Sequence, residues 1–401
     1  MSQKVYVTGI GIVSAMGLGV EANLLSAQTG QTFARKPLLL DTLLKNDFPL
    51  AEVPYSDTEL KYLLNLNKDS YFSRTSLMAM VAVKEAILSA GLTKELDNRT
   101  ALISGTSVGG MDKGENFFDG FIRKNGDFDL HHALIHDCGE STLAIAKHFN
   151  INGYTSTIST ACSSAANAIM FAARLIKAGK IDRAIAGGTD ALTRFTLNGF
   201  RSLMILSDQP SQPFDQNRKG LNLGEGAGYV ILESEEILKK ENRKPLCELS
   251  GYANTCDAYH QTASSPEGNG ARLAINGALK KANLSPREID YINTHGTGTP
   301  NNDLSEGLAM KSVFGEKLPS FSSTKSLTGH TLGAAGGIEA VLSTLSIQRG
   351  IIYPNVNFQQ PIEELGIIPA TEWESGKSIK HVVSNSFGFG GNNTSLVFSA
   401  C

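Results

Sequence analysis

Four segments of the sequence combine residue types and spacings that could do chemistry. The first is Ser159-Thr160-Ala161-Cys162-Ser163-Ser164, placed after a strand-like run at 155–159 and before a helical run at 165–177 that ends at Gly179. A cysteine at a strand-to-helix turn meets unpaired backbone N–H groups and the positive end of the helix dipole, which favour a thiolate. The same N–H groups can hold the oxyanion formed when a thioester carbonyl is attacked. Read conservatively, Cys162 is a small cysteine packed in a tight turn, and this segment alone does not decide between the two. The second segment, Asn293-Thr294-His295-Gly296-Thr297-Gly298-Thr299-Pro300, is followed by Asp303 and Glu306. Here a histidine ends a strand-like run and enters a loop of small residues, where a ligand can approach the backbone. In the third, Ser323-Thr324-Lys325-Ser326-Leu327-Thr328-Gly329-His330, Lys325 and His330 stand ahead of the glycine-rich start of a helix at 333–337. In the fourth, Phe387 and Phe389 alternate with glycines across 385–393, a pattern for a hinged loop with bulky tips. Each of the last three could equally be a turn with a solvated polar side chain.

The elements that must position these residues alternate between β-branched strand runs and helical periodicity along the whole chain, which predicts an α/β architecture. Residues 72–90 read as a helix rich in Ala, Leu, Met and Val, ended by Gly91, with a strand at 99–105. The pattern returns: Val83 to Leu92 resembles Ile275 to Leu284, and a polar link, a strand and a Gly-Thr turn follow each copy (Gly105-Thr106 and Gly296-Thr297). A single long-period repeat predicts a duplicated domain. Its seam is placed in the polar stretch at 239–245, giving halves of 1–243, with Cys162, and 244–401, with the two histidines.

Composition bounds the function. The 401 residues are 41% hydrophobic and 19% charged with a net charge of −3, which leaves no electrostatic footprint for nucleic acid. No apolar run is long enough to span a bilayer, and no secretory signal is expected. Five scattered cysteines without a C-x-x-C pair fit a reducing cytoplasm better than a disulfide framework or a zinc site, so no metal is expected. Gly9-Ile10-Gly11-Ile12-Val13-Ser14 lacks the third glycine of a dinucleotide fingerprint, and Thr371 replaces the first glycine of a P-loop ahead of Gly376-Lys377-Ser378. Gly224-Glu225-Gly226-Ala227-Gly228 reads as a structural turn into a strand at 229–232.

Taken in order, the four segments, with Pro213-Phe214-Asp215, the 223–228 stretch and Asp257-Ala258-Tyr259-His260, resemble the elongating β-ketoacyl-acyl-carrier-protein synthases of the thiolase superfamily, ketosynthase I/II type. The resemblance runs from Val7 to Asn393. It implies a thiolase-like duplicated αβαβα five-layer fold and an acyltransferase that joins an acyl group, held on Cys162, to malonyl-carrier protein with loss of CO₂. It implies that His295 and His330 hydrogen-bond the carbanion as neutral Nε2–H donors. Lys325, paired with Glu339, orients His330. The backbone N–H groups of Cys162 and Phe389 form the oxyanion hole. Phe389 gates, with Phe200 near the tunnel mouth and Phe387 beside the substrate. It implies that Thr297 and Thr299 bind the phosphopantetheine arm, that Val108 constricts the acyl tunnel, and that Asp303 and Glu306 have supporting roles. No cofactor is implied beyond the arm that the acyl carrier protein brings. The partners implied are that carrier, acyl and malonyl thioesters and a second subunit, identical or related.

Departures from the family pattern leave this chemistry intact but leave open the carrier and the acyl chain. Gln212 and Met204 stand where arginines are common, though Arg201 is close, and Asn392 replaces a threonine. The segment 131–140, which approaches the tunnel of the neighbouring subunit in the family, carries His131, His132, His136, Asp137 and Glu140. Those side chains are expected in solvent or paired across the dimer, with Leu134, Ile135 and Cys138 pointing inward. A thiolase is disfavoured because residues 384–394 contain no second cysteine, and a chain-length factor because Cys162 is present. The alternative to fatty-acid elongation is a specialised ketosynthase of polyene or polyketide synthesis, paired with a degenerate partner.

Overall fold

Runs such as Thr100–Gly105 and Arg183–Asp190 are buried at every residue rather than at alternate ones. Strands of this kind must be covered on both faces. The computed structural model describes residues 3–92, 96–123 and 130–401, and it covers them so. The strands are β1 (Val5–Ser14), β2 (Gly17–Leu18), β3 (Thr100–Gly105), β4 (Thr155–Ile158), β5 (Arg183–Asp190), β6 (Gly226–Ser234), β7 (Cys247–Cys256), β8 (Tyr291–Asn293), β9 (Ser320–Ser322), β10 (His381–Gly388) and β11 (Asn392–Ser399). Their hydrogen-bonded order is β4-β3-β5-β6-β1-β7-β11-β10-β8-β9, with β2 folded back on β1.

This order reads alike outward from the β1–β7 junction if β1, β3, β4, β5 and β6 are matched with β7, β8, β9, β10 and β11. The junction itself is slight, pairing only Tyr6 with Glu248 and Val7 with Cys247. Helices Ser164–Lys177 and Ala335–Arg349 pack on strands from both sides of the junction and form the middle layer. Helix Arg74–Ser89 covers β1 and β6 from outside, and helix Asn269–Ala282 covers β7 and β11. The result is the duplicated fold that the repeat implied, in the five layers that the resemblance implied.

Glycines set the closeness of that outer packing at matching places. A Cβ on Gly9 would lie 2.3 Å from the Ala86 carbonyl oxygen and 2.7 Å from the Ala90 Cβ. A Cβ on Gly251 would lie 2.2 Å from the Ala278 carbonyl oxygen and 2.8 Å from the Ala282 Cβ. Ala86 and Ala278, like Ala90 and Ala282, are equivalent in the sequence repeat. The Gly9-x-Gly11 pattern is therefore a helix-packing device. Gly9→Ala and Gly251→Ala should each lower stability by about 1–3 kcal/mol through overpacking, read as a shift of the unfolding midpoint. Unchanged midpoints would show that the helices move off at no cost.

The elements agree with the sequence reading within two or three residues: the 72–90 helix runs Arg74–Ser89, and the 229–232 strand is the middle of β6. Phe387 differs: it belongs to β10 and is buried, so only Phe389 stands at the turn. Leu134 is 74% exposed in the single chain, while the Ile135 carbonyl and Cys138 lie against Gly110 and Gly109. The His131 ring stacks on Tyr71 with centroids 4.6 Å apart. No helix among the described residues is long and apolar enough to cross a membrane.

Candidate active site

β4 is parallel to β3, and β9 is parallel to β8. The chain leaves β4 through Cys162 into helix Ser164–Lys177, and leaves β9 through Lys325 and His330 into helix Ala335–Arg349. Duplication thus places the thiol and one histidine at equivalent ends of the two central helices. His295 arrives from β8, two residues past its end. Outside the carboxyl ends of parallel strands is where α/β sheets hold ligands.

Cys162 is buried, and the residue before it, Ala161, has a left-handed φ of 51°. A non-glycine residue in that region is strained and must be held by its surroundings. The Ala161 carbonyl accepts hydrogen bonds from the Ser164 N–H, the Ser164 hydroxyl and the Ser107 hydroxyl. Burial pushes the thiol up to about 11, while Lys325 and the N–H groups of Phe389 and Cys162 pull the other way. The helix terminus therefore does not make a resting thiolate, and desolvation wins over the dipole argument. Alkylation of Cys162 by iodoacetamide should rise about tenfold per pH unit from 7 to 9, since only the thiolate reacts. A plateau already reached near pH 7 would contradict this.

One side-chain atom from each of Cys162, His295 and His330 lies within 4.8 Å of the other two, and all three residues are buried. The rings of His295 and His330 stand edge to face with centroids 5.4 Å apart. Burial, then Lys325, holds both histidines well below the usual imidazole range, so both are neutral. His330 Nδ1 accepts the Leu332 N–H at 3.1 Å. A neutral ring whose Nδ1 accepts carries its proton on Nε2. That tautomer also argues against a metal, which would need a bare Nε2 on His330. His295 Nδ1 is buried without a hydrogen-bond partner among the described residues. Lys325 donates to Glu339, and both side chains are buried. Burial pushes the Glu339 carboxyl up to about 7 against the pull of Lys325.

The His295 loop is held from helix Pro300–Phe314. Glu306 accepts the N–H groups of His295 and Gly296 at 2.9 and 2.8 Å, and Asp303 accepts those of Phe214 and Gly298. The cavity over the three residues measures about 360 Å³. Phe200, Phe387, Phe389, Thr297 and Thr299 line it. Phe200 and Phe389 stack with centroids 5.7 Å apart, and the hydroxyls of Thr297 and Thr299 lie 2.9 Å apart. An apolar cavity with a few convergent polar groups is the form of a small-molecule site.

Residues 61–237 match the N-terminal domain of β-ketoacyl synthases and residues 246–359 their C-terminal domain. The chain belongs to the β-ketoacyl synthase family. It is 33% identical to a 3-oxoacyl-[acyl-carrier-protein] synthase 2 of Staphylococcus aureus, covering 99% of this chain and 98% of that one. Its identity to the Coxiella burnetii protein of the same name is 35%, with the same coverage. Among solved structures it is similar to the ishigamide ketosynthase/chain length factor, with TM-score 0.93 and 28% identity over the whole of both chains. It is also similar to a ketosynthase in complex with its chain length factor from Xenorhabdus doucetiae, with TM-score 0.85 and 34% identity over 100% of this chain and 98% of that one.

This β-ketoacyl synthase brings Cys162, His295, His330, Phe389, Phe387, Phe200, Thr297 and Thr299 into one cavity, with Lys325, Glu339, Asp303 and Glu306 behind it. Val108 is placed otherwise: it is buried in an adjoining apolar cluster with Leu192, Leu197 and Leu221, and does not line the cavity of the single chain. Sequence reasoning missed two organising carboxylates. Asp190, at the end of β5, accepts the Thr106 hydroxyl and the N–H groups of Ser107, Val108 and Gly333, tying the Cys162 side to the His330 side. An acid ending an all-buried strand after two glycines was the signal available. Glu225 pairs with Arg74 and accepts the N–H groups of Val53 and Leu192, so the turn at 224–228 is structural, as read.

Proposed function

We propose that this β-ketoacyl synthase catalyses the 3-oxoacyl-[acyl-carrier-protein] synthase reaction. Cys162 sulfur attacks an acyl thioester on a carrier protein; its S–C bond forms, and the carrier thiol leaves with the proton. The N–H groups of Cys162 and Phe389 hold the oxyanion. Malonyl-carrier protein then loses CO₂, and the electron pair spreads onto an enolate oxygen hydrogen-bonded by His295 and His330. The enolate carbon attacks the acyl carbonyl, the S–C bond breaks, and Cys162 recovers a proton. Lys325, a fixed positive charge paired with Glu339, orients His330 and adds to burial in disfavouring its protonation. Thr297 and Thr299 receive the phosphopantetheine arm, which arrives with the carrier, so no resident cofactor is needed. Val108 narrows the tunnel once a second subunit completes it. On this reading residues 1–243 carry the nucleophile and 244–401 the histidines, and the free cysteines suit a reducing cytoplasm.

The observation that carries the reading is a buried thiol beside a histidine whose Nε2 is held protonated. Incubation with acyl- and malonyl-carrier proteins should yield 3-oxoacyl-carrier protein and CO₂ in equal amounts. CO₂ release without a condensed product would oppose it. Fatty-acid elongation fits the curated relatives. The likeness to ketosynthase and chain-length-factor pairs favours a second reading, a specialised polyene or polyketide ketosynthase with a related partner. Native mass spectrometry and a comparison of saturated with polyenoyl or aryl acyl chains separate the two.

A further inference from the structure

The loop that carries the Phe389 N–H joins β10 to β11 and turns on two glycines. Gly390 and Gly391 both have left-handed φ, at 78° and 75°, where glycine is at home and the backbone is least restrained. On its outer side the loop is tied by backbone bonds, Gly390 N–H to the Gln261 carbonyl at 2.7 Å and Asp257 N–H to the Gly391 carbonyl at 2.9 Å. On the side facing the nucleophile, the tie is a side chain. The Asn392 side-chain oxygen accepts the Ser163 hydroxyl at 2.7 Å and the Asn167 amide at 2.8 Å. It also accepts the Asn254 amide at 2.8 Å, and Asn254 extends from β7. Ser163 is the residue after Cys162, and Asn167 lies on the first turn of the helix that Cys162 opens.

We infer that Asn392 is a positioning residue for thioester attack, one that sets the spacing between the two N–H groups of the oxyanion hole. The inference rests on the proposed ketosynthase reading. One N–H belongs to the Cys162 turn and the other to the Phe389 loop, and Asn392 spans them through one oxygen. Gly388 shows how close the two segments run: a Cβ there would stand 3.1 Å from the Thr160 carbonyl oxygen and 3.2 Å from the Cys162 nitrogen. The enolate of the malonyl half-reaction meets His295 and His330 instead, neither of which Asn392 touches. Asn392 should therefore matter for acyl transfer to Cys162 and not for decarboxylation.

The test separates those half-reactions. Removing an oxyanion donor outright costs ~10²–10³ in rate, and displacing one loses part of that, so Asn392→Ala should slow acylation of Cys162 by acyl-carrier protein about 10- to 100-fold, mainly in kcat. Decarboxylation of malonyl-carrier protein by the double variant Cys162→Ala/Asn392→Ala should stay within about twofold of Cys162→Ala alone. Asn392→Thr, which keeps an acceptor oxygen, should recover part of the acylation rate. Equal loss in both half-reactions would mark Asn392 as merely structural and overturn the inference, as would acylation at the unaltered rate. A native chain that no acyl donor modifies would overturn the ketosynthase reading itself.

Discussion

Cys162→Ala should abolish condensation and leave malonyl decarboxylation measurable. The thiol is the one atom that can carry the acyl group between the two half-reactions, so its loss removes the product rather than slowing it. The histidines do not depend on it for their state. His330 is held by the Leu332 N–H, and the His295 loop by Glu306. Truncation leaves a small space beside the His330 Nε2–H and the His295 ring, and the proposed enolate can still form there. Release of CO₂ from malonyl-carrier protein, followed with and without an acyl donor, is the measurement. Loss of decarboxylation together with condensation would mean that Cys162 does more than carry the acyl group.

The second large effect is on the histidines. His330→Ala should lower decarboxylation by ~10²–10³, the usual worth of one oxyanion donor in a desolvated site. His295→Ala should do the same, while acylation of Cys162 persists in both variants. His330→Asn keeps an N–H donor at that place and should recover part of the loss. Because burial and Lys325 keep both rings neutral, the decarboxylation rate should not fall between pH 6 and 8 from protonation of either histidine. A native-like rate in His295→Ala would contradict the assignment of two donors.

Much of this site was legible because its residues sit in segments with strong local signals. Cys162, His295 and His330 each follow a short strand and stand among small residues, a pattern visible before any contact is known. The repeat was legible for a physical reason too: Ala86 and Ala278 are small because Gly9 and Gly251 bring a strand against them. What stayed hidden depends on contacts between distant segments. The protonation of His330 is set by a backbone N–H two residues on, and that follows only from the fold of Leu332–Ala334. The thiol of Cys162 is governed by how deeply the turn is buried, which outweighs the pull of the backbone N–H groups that the sequence pointed to. Phe387 looked like a loop tip because glycines surround it, yet β11 pairs with it through Asn393 and makes it a strand residue. Asn392 appeared only as a departure from a family pattern, and its link to Ser163 and Asn167 spans more than two hundred residues.

The central claim is that Cys162 is the acylated nucleophile, and mapping an acyl adduct tests it most directly. After incubation with a panel of acyl-carrier proteins, the intact chain should gain the mass of one acyl group, and peptide mapping should place it on Cys162. The Cys162→Ala chain should gain none. An adduct on Cys138, Cys247 or Cys256, or an equal mass gain in Cys162→Ala, would contradict the account.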